Sequence, residues 1–296
     1  MSDVQRSGLI RKVDKLFTAE NSSGLLHPLP GLKLLRCLQP TRLESVLYEP
    51  VICLILQGRK ETTLGERTLN FGEGESLIVS HDLPVVSRII EASPERPYLA
   101  IILTIDLALL RSLYDQMAES ALPNSQVQSL AVHDTDQSLM DALDRYLDLM
   151  GNPLEEKILS PLIFKEIHFR LLIASHGGML RHLLWHNSHA SRIARAIEHL
   201  RKNFASRLSV PDLARHVGMS VSSFYEHFKL ITDTTPLQYQ KELRLLEAKR
   251  LLIAGENSVS RIAFDVGYES PTQFSREYSR KFGASPRHAL SAAAID

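Results

Sequence analysis

Residues 31–105 carry their apolar side chains in short runs, and glycine, proline or charged residues separate one run from the next. Such runs are typical of β-strands. The predicted strands are LKLLRCL, VICLILQG, KETTL, ERTLNF, ESLIVS, PVVSRII and YLAIILTI. VICLILQ is apolar at both alternating sets of positions, which indicates a strand buried on both faces. The close spacing of the runs predicts an antiparallel barrel or sandwich.

The apolar spacing changes to that of helices after Asp106. Asp106 and Asp134 are predicted N-caps, each in front of a run with helical period. In the second run an apolar stripe recurs at helical spacing: Leu139, Leu143, Leu147 and Met150. A further helical run, LEEKILSPLIFKEIHFRLLIAS, contains Pro161. Proline lacks an amide hydrogen, so a kink or a break is expected there.

Two segments near the end of the chain repeat one pattern. ARHVGMSVSSFYEHFKLI starts at residue 214, and AFDVGYESPTQFSREYSRKF starts at residue 263. Four positions match at an offset of 49 and, after the insertion of Glu269, four more match at an offset of 50. The matched pairs are Leu213/Ile262, Ala214/Ala263, Val217/Val266, Gly218/Gly267, Ser220/Ser270, Phe224/Phe274, Phe228/Tyr278 and Pro236/Pro286. Eight pairs of like type indicate a duplicated unit.

Each copy has the pattern of a helix-turn-helix unit. A glycine ends the first helix, where the left-handed conformation is favourable only for that residue, and a serine then caps the second helix. Aromatic residues spaced four apart place one face of the second helix in the core. The units are predicted at about residues 209–231 and 259–282.

The outward face of each second helix follows from the position of the aromatic residues. In the first copy it carries Ser222, Ser223, Tyr225, Glu226 and Lys229, and in the second Thr272, Gln273, Ser275, Arg276, Ser279 and Arg280. Arginine can pair with guanine in a bidentate contact, and hydroxyl groups can hold phosphates. A solvated polar face on an ordinary helical bundle is the alternative interpretation.

One continuous helical pattern joins the two copies from Pro236 to about Ala254. Roughly 17 helical residues span ~26 Å. This length suits a rigid spacer that places two recognition helices in successive major grooves, which lie ~34 Å apart. The predicted partner is therefore double-stranded DNA, contacted in two successive major grooves.

The charge distribution supports an anionic partner for the last section. The net charge of zero combines 16 Lys and Arg with 11 Asp and Glu in residues 190–296, and 18 with 23 in residues 1–189. The balances are thus +5 and −5.

Residues of about 190–290 resemble the DNA-binding domain of the AraC/XylS family of bacterial transcription regulators. The resemblance rests on I-A-x-x-V-G-Y-x-S-x-x-x-F-S-R-x-Y-x-x-x-F-G-x-S-P, which begins at Ile262. It implies two helix-turn-helix units joined by a long helix. By position, the implied base-contacting residues are Ser222, Tyr225, Glu226, Thr272 and Arg276. Glu226 departs from the basic or amide residue often found there, although a glutamate can accept from cytosine.

The segment YEPVICLILQGRKETTLGERTLNFGEGESLIVS resembles the cupin-like N-terminal domain of one branch of the same family. The resemblance implies that the barrel binds a small-molecule effector or mediates dimerisation. We expect the effector among the 31–105 strands, lined by Leu54, Leu56, Leu69 and Ile78. The Leu139/Leu143/Leu147/Met150 stripe is expected to form a homodimer, with covering of the barrel as the alternative.

An enzyme is disfavoured. Metal-dependent cupins use a histidine cluster with a carboxylate, whereas residues 31–105 contain His81 alone, so no metal, cofactor or catalytic residue is expected. His168, His176, His182, His186 and His189 are irregularly spaced and are expected to lie in an interdomain linker. Cys37 and Cys53 are interpreted as small buried residues rather than reactive thiols.

The sequence thus predicts a two-domain regulator. The expected divisions are a short N-terminal segment (1–30), a cupin-like β-barrel (31–105), a helical connector (106–189) and an all-α tandem helix-turn-helix domain (190–296). With two cysteines and no run approaching the ~20 apolar residues of a membrane span, a cytoplasmic bacterial protein is expected. If it is an activator, RNA polymerase is a further partner. The alternatives are a DNA-binding regulator whose barrel only dimerises and, more distantly, a metal-dependent cupin enzyme.

Overall fold

The computed structural model describes residues 3–17, 23–117, 129–174, 177–185, 188–255 and 257–293. The chain divides into two compact units, formed by residues 1–44 with 48–191 and by residues 45–47 with 192–296. The division after residue 191 lies close to the boundary expected after residue 189.

In the part of the chain that the structure describes, the strands all precede residue 135. They are β1 (Gly24–Leu29), β2 (Leu32–Cys37), β3 (Glu44–Tyr48), β4 (Val51–Gln57), β5 (Arg59–Leu64), β6 (Arg67–Gly72), β7 (Glu75–Val79), β8 (Leu83–Glu91), β9 (Tyr98–Thr104) and β10 (Leu130–Asp134). They form a six-stranded sheet in the order β1-β2-β9-β4-β7-β10 and a four-stranded sheet in the order β3-β8-β5-β6. Neighbours such as β4 and β9, or β5 and β8, pair antiparallel.

Helices flank and follow these strands. In the first part of the chain they are α1 (Asp3–Asp14), α2 (Leu107–Tyr114), α3 (Gln137–Asp148), α4 (Pro153–Ile173) and α5 (Gly178–Leu184). The rest of the chain is helical: α6 (His189–Lys202), α7 (Val210–His216), α8 (Val221–Thr232), α9 (Pro236–Ala254), α10 (Val259–Asp265), α11 (Pro271–Phe282) and α12 (Pro286–Ala293). Among the described residues, no helix is both long and apolar enough to cross a membrane.

Two strands of the larger sheet lie outside the segment predicted to be strand. β1 precedes residue 31, and β10 lies in the segment predicted to be a helical connector, where it pairs antiparallel with β7. β10 is only five residues long and ends in the exposed His133 and Asp134, so its apolar pattern is too short to be distinguished from the start of a helix.

The two predicted N-caps have different outcomes. Asp106 caps α2, because its carboxylate accepts hydrogen bonds from the amides of Ala108 and Leu109, both at 2.9 Å. The assignment of Asp134 is wrong, since this residue ends β10 and the N-cap position of α3 is Asp136. Pro161 lies inside α4, which continues through it to Ile173.

β4 is buried on both faces, as its sequence predicts. Ile52, Leu54 and Leu56 belong to a core that also contains residues of the helices, such as Leu110 and Leu143. Side chains alternate between the faces of a strand, so Cys53 and Ile55 point to the opposite side of the sheet. Each face of the larger sheet therefore has its own buried layer.

The apolar stripe on α3 packs within its own chain. Leu139, Leu143 and Leu147 are buried in the core between the helices and the sheet, and Met150 packs against it. The expectation that this stripe forms a dimer interface is therefore wrong, and the alternative, in which it covers the strands, is the observed one. Amphipathic helices on a sheet require such an apolar stripe even in a single chain.

Leu143→Ala should lower the free energy of unfolding by about 2–5 kcal/mol, because Leu143 is 1% exposed and its truncation leaves a cavity. Leu43→Ala is the matched control at a site that is 57% exposed, and it should change stability by less than about 0.5 kcal/mol. Urea denaturation of the intact chain, followed by the fluorescence of Trp185, measures both. Equal effects of the two substitutions would contradict the observed packing of α3.

Candidate nucleic-acid interface

The first helix-turn-helix unit consists of α7 and α8. The Ser209 hydroxyl accepts a hydrogen bond from the amide of Asp212 at the start of α7, and Ser220 accepts from Ser223 at the start of α8. Gly218 forms the turn between them with a φ of +68°. The buried Phe224 and Phe228 attach α8 to the core, as their spacing predicts.

The second unit, α10 and α11, repeats this arrangement. Ser270 accepts a hydrogen bond from the amide of Gln273, and Pro271 occupies the first helical position. Gly267 forms the turn with a φ of +88°. A Cβ atom at Gly267 would lie 2.1 Å from the carbonyl oxygen of Ala205, so both the backbone angle and the close approach require glycine.

The predicted outward face of α8 is largely exposed. Ser222, Tyr225, Glu226 and Lys229 are exposed, and they bring two hydroxyl groups, a carboxylate and an ammonium group to one side of the helix. Ser223 is half-buried, and its hydroxyl lies 3.3 Å from Nδ1 of His227. Ser223 is thus engaged in local contacts within α8.

The outward face of α11 is more basic. Thr272, Gln273, Arg276 and Arg280 are exposed, whereas Ser275 and Ser279 are half-buried. The Ser275 hydroxyl donates to the carbonyl of Pro271 at 2.8 Å, and the Gln273 amide donates to Glu277 at 3.3 Å. Neither Arg276 nor Arg280 forms an ion pair with any residue that the structure describes. Two guanidinium groups one turn apart therefore face solvent.

Corresponding positions on the two helices carry opposite charges. At the offset of 50 that relates the second helices, Glu226 of α8 corresponds to Arg276 of α11, and Ser222 corresponds to Thr272. All four side chains are exposed. The two faces therefore share a geometry but present different hydrogen-bonding groups at the same place.

Arg244, in the middle of α9, holds the second helix-turn-helix unit in place. Its guanidinium donates to the carbonyl of Gly267 at 2.9 Å and to those of Phe204 and Ser206 at 2.8 and 2.9 Å. Gln240, one turn earlier, donates to the same two loop carbonyls. One helix thus joins the turn of the second unit to the loop after α6.

The first helix-turn-helix unit has an equivalent contact. Arg192 of α6 donates to the carbonyl of Gly218, the turn glycine of that unit. Arg192 and Arg244 are 52 residues apart, and the buried pairs Ile193/Leu245, Ala196/Ala248 and Leu200/Leu252 share this offset. The duplication therefore includes the helix that precedes each helix-turn-helix unit. Sequence reasoning missed these residues, although the common offset is a signal that could have found them.

Ion pairing fixes α11 against α9. The Glu277 carboxylate accepts a hydrogen bond from the Tyr268 hydroxyl at 2.9 Å and lies 3.3 Å from Nζ of Lys241. Partial burial raises the pKa of Glu277, but the hydrogen bonds from Gln273 and Tyr268 and the charge of Lys241 outweigh it, so the pKa lies below its usual value. Glu277 is thus held ionised on the side of α11 next to the core.

The four residues predicted to line an effector site do not lie together. Leu54, Leu56 and Ile78 are buried in the core shared with the helices. Leu69 is half-buried on β6 of the smaller sheet. Leu54, Leu56 and Ile78 thus face the helices while Leu69 lies in the smaller sheet, and the expectation that an effector binds at these residues stays a prediction.

The histidines have local structural contacts. His81 is buried, with Nδ1 2.8 Å from the Ser80 hydroxyl, and burial lowers its pKa to about 4. Nε2 of His168 accepts a hydrogen bond from the amide of Asp106 at 2.9 Å. His176 and His186 lie outside the described residues. In the part of the chain that the structure describes, no three His, Cys, Asp or Glu side chains are grouped to hold a metal ion.

Two family models match the chain. The model described as "AraC-type transcriptional regulator N-terminus" matches residues 28–179, and a "Helix-turn-helix domain" matches residues 213–292. The first alone covers more than half of the chain.

Curated relatives and solved structures agree with these models. The thermoregulatory protein LcrF of Yersinia pestis is 25% identical over 175 residues, which cover 58% of this chain and 64% of LcrF. The transcriptional activator RhaS of Escherichia fergusonii is 33% identical over 130 residues, which cover 44% of this chain and 46% of RhaS. A ToxT structure from Vibrio cholerae is 12% identical with a TM-score of 0.57, covering 88% of this chain and 93% of ToxT, and so shares the fold. LcrF and RhaS carry the names of regulators, not enzymes.

Arg244→Ala should speed amide hydrogen exchange in α10 and α11, because it removes the arginine donor from the Gly267 carbonyl and one of the two donors from the Phe204 carbonyl, at a cost of about 1–3 kcal/mol. Arg250→Ala is the control on the same helix, at an exposed residue paired with Glu247 one turn away. Mass-spectrometric exchange on the full chain measures both variants. Unchanged exchange in α10 and α11 of the Arg244 variant would show that this contact does not hold the second unit.

Proposed function

Because the chain belongs to the AraC family of transcription regulators, we propose that it binds a specific DNA sequence and regulates transcription. The observation that carries this proposal is the pair of capped helices, α8 and α11, each with an exposed polar face. Arginine, glutamate, serine and threonine on these faces are the side chains that contact base edges and phosphates.

The two helices read successive major grooves on one side of the duplex. α9 has 19 residues and is therefore about 29 Å long, close to the ~34 Å between successive grooves. The contacts of Arg192 and Arg244 with the turn glycines support a fixed position for each unit. The two half-sites are then expected ~10–11 base pairs apart.

Each exposed side chain has a role in this proposal. Arg276 pairs with a guanine, and Glu226 accepts from a cytosine. Ser222 and Thr272, near the capped N-termini, hold phosphates together with the helix ends. Lys229 and Arg280, further along each helix, neutralise the backbone and make the affinity depend on salt. Tyr225 and Gln273 contact bases or phosphates beside them.

A small molecule bound to the strand-containing unit, residues 1–44 with 48–191, is proposed to control this activity. ToxT, whose fold the chain shares, has been solved with an unsaturated fatty acid bound. A ligand can shift a regulator only through different affinities for its two states, so it must bind where the protein can respond. The second candidate is a DNA-binding regulator whose strand-containing unit only dimerises and binds no ligand. As an activator, which is what RhaS is named, the protein would also contact RNA polymerase.

The proposed oligomer is a homodimer formed through α4. Five apolar side chains of this helix are between 38% and 72% exposed: Leu154, Ile158, Leu162, Phe169 and Ile173. At about 100° per residue they fall within one side of the helix. A continuous exposed apolar stripe on a helix of 21 residues is typical of an interaction surface.

The stripe is complementary to a second copy of itself in the antiparallel orientation. A twofold axis between residues 163 and 164 places Leu154 opposite Ile173 and Ile158 opposite Phe169 of the second copy. The same axis places Leu162 opposite Lys165, whose alkyl chain can cover it. A twofold dimer requires a surface that matches itself in this way.

Arg276→Ala should weaken binding of the full chain to a DNA site selected from a random pool by ~1–3 kcal/mol and relax discrimination at one base pair. Fluorescence anisotropy titrations measure this, with Arg250→Ala as the control. A second arm inserts about five base pairs between the half-sites, which turns one of them by half a helical turn and should abolish most of the affinity. Unchanged affinity of the Arg276→Ala variant would contradict the role of Arg276. Unchanged affinity for the site with the insertion would contradict the proposal that one chain reads two successive grooves.

Ile158→Glu combined with Phe169→Glu should convert the dimer to a single chain of 33.3 kDa, because two charges would be buried at each twofold-related position. Lys157→Glu, an exposed change on the same helix outside the stripe, should leave the dimer intact. Sedimentation equilibrium measures the mass of each variant. A folded double variant with the mass of a dimer would exclude α4 as the interface.

A further inference from the structure

The two copies of the repeat differ in the loop that precedes each helix-turn-helix unit. Seven residues, 203–209, separate α6 from α7, whereas four, 255–258, separate α9 from α10. The matched pairs show the same difference, because their offset is 52 in the helices before the loops and 49 in the helices after them. The first copy thus has three additional residues, and we call residues 203–209 the long loop.

The long loop is attached to the second helix-turn-helix unit, although it precedes the first one in the chain. The carbonyls of Phe204, Ala205 and Ser206 accept hydrogen bonds from Arg244 at 2.8, 3.2 and 2.9 Å. The same guanidinium binds the carbonyl of the turn glycine, Gly267. The half-buried side chain of Phe204 packs against the core of the second helix-turn-helix unit. The loop is therefore fixed beside the turn that precedes α11.

Arg207 lies between the attachments of the long loop to the two helix-turn-helix units. Ser206, one residue earlier, is bound by α9, and Ser209, two residues later, caps α7 of the first helix-turn-helix unit. The Arg207 side chain is exposed, and it forms no hydrogen bond or ion pair with any residue that the structure describes. The fold therefore holds an arginine without a partner between the two helix-turn-helix units.

The proposed binding of DNA places a minor groove opposite this position. Two successive major grooves on one side of a duplex are separated by the minor groove, which faces the same side. The N-terminal residues of a recognition helix contact base edges, so the turn before α11 lies at the end of that helix nearest the DNA. The long loop adjoins this turn, since a Cβ atom on Gly267 would lie 2.1 Å from the carbonyl oxygen of Ala205. In this binding mode the loop lies between the two half-sites.

Arginine is well suited to a minor groove. The groove is ~6 Å wide, and runs of A·T pairs narrow it and strengthen its negative potential, which attracts inserted cations. The guanidinium group is more weakly hydrated than an ammonium group, so it loses less on leaving water. A G·C pair adds the guanine 2-amino group, a donor that opposes another donor. An arginine in this groove therefore favours A·T pairs.

We propose that Arg207 enters the minor groove between the two half-sites and favours A·T base pairs there. This rests on the proposed function, in which α8 and α11 occupy the major grooves on either side. Arg207 would thereby add a sequence preference at base pairs that neither recognition helix contacts. The shorter loop of the second copy, 255–258, contains no arginine, so the preference belongs to the first copy alone.

The test is a set of fluorescence anisotropy titrations of the full chain with three forms of one selected DNA site. The half-sites stay constant, and the base pairs between them are all A·T, all G·C or all inosine–cytosine. Inosine lacks the 2-amino group of guanine, so an inosine–cytosine pair combines the major groove of G·C with a minor groove like that of A·T. The wild type should bind the A·T and inosine–cytosine forms about tenfold more tightly than the G·C form.

Arg207→Ala should weaken binding to the A·T form about tenfold and leave binding to the G·C form nearly unchanged, which removes the preference. On the A·T form the slope of log affinity against log salt concentration should become shallower by about 1, because one cation no longer displaces a counterion. Arg207→Lys keeps the charge but should lose most of the preference, because an ammonium group is more strongly hydrated. Arg250→Ala, at an exposed arginine paired with Glu247, is the control and should keep it.

Equal affinity of the wild type for the three forms would overturn the proposal, as would an Arg207→Ala variant that keeps the preference for A·T. Equal weakening of all three forms by Arg207→Ala would assign this arginine to a phosphate and exclude reading of the minor groove. Binding to the inosine–cytosine form as weak as to the G·C form would show that the preference arises outside the minor groove. Each of these results leaves the two half-sites bound, whereas failure to select any DNA site would refute the regulator itself, so the two failures are distinguishable.

Discussion

The hydrogen bond from an arginine to the carbonyl of a turn glycine is the interaction on which both helix-turn-helix units depend. It occurs once from Arg192 to Gly218 and once from Arg244 to Gly267. Gly218 is exposed and Gly267 is half-buried, and the carbonyl of each accepts a hydrogen bond from the arginine of the preceding helix. Each long helix supplies one and thereby fixes the turn, the second helix of the unit and its exposed face. Arg244 also binds the loop after α6, so the two copies of the repeat share it.

In the strand-containing unit, the fold depends instead on the alternation of side chains along the strands. Leu54 and Leu56 face the helices, while Cys53 and Ile55 face the smaller sheet. A shift of one residue would place Cys53 in the core shared with the helices and Leu54 between the sheets. The two buried layers therefore differ in composition, and the register of β4 assigns each side chain to one of them.

The sequence predicts local features well, because capping, glycine turns and aromatic spacing depend on neighbouring residues. The Asp106 cap, the burial of β4 on both faces and the two helix-turn-helix units all follow from such signals. Features that depend on distant parts of the chain were missed or misplaced. β10 is defined by its pairing with β7, and the α3 stripe by the sheet beneath it. The face on which Leu54 lies and the carbonyls that Arg244 binds likewise require the three-dimensional arrangement.

In the proposed binding mode, the opposite charges of Glu226 and Arg276 distinguish the two half-sites. Two identical reading helices would meet the same bases again after a shift by one half-site along a repeated sequence. A chain of this protein shifted in that way would place a carboxylate where the proposal has a guanidinium, next to base edges that accept hydrogen bonds. The difference in charge at one matched position would therefore fix the register of each bound chain on its site.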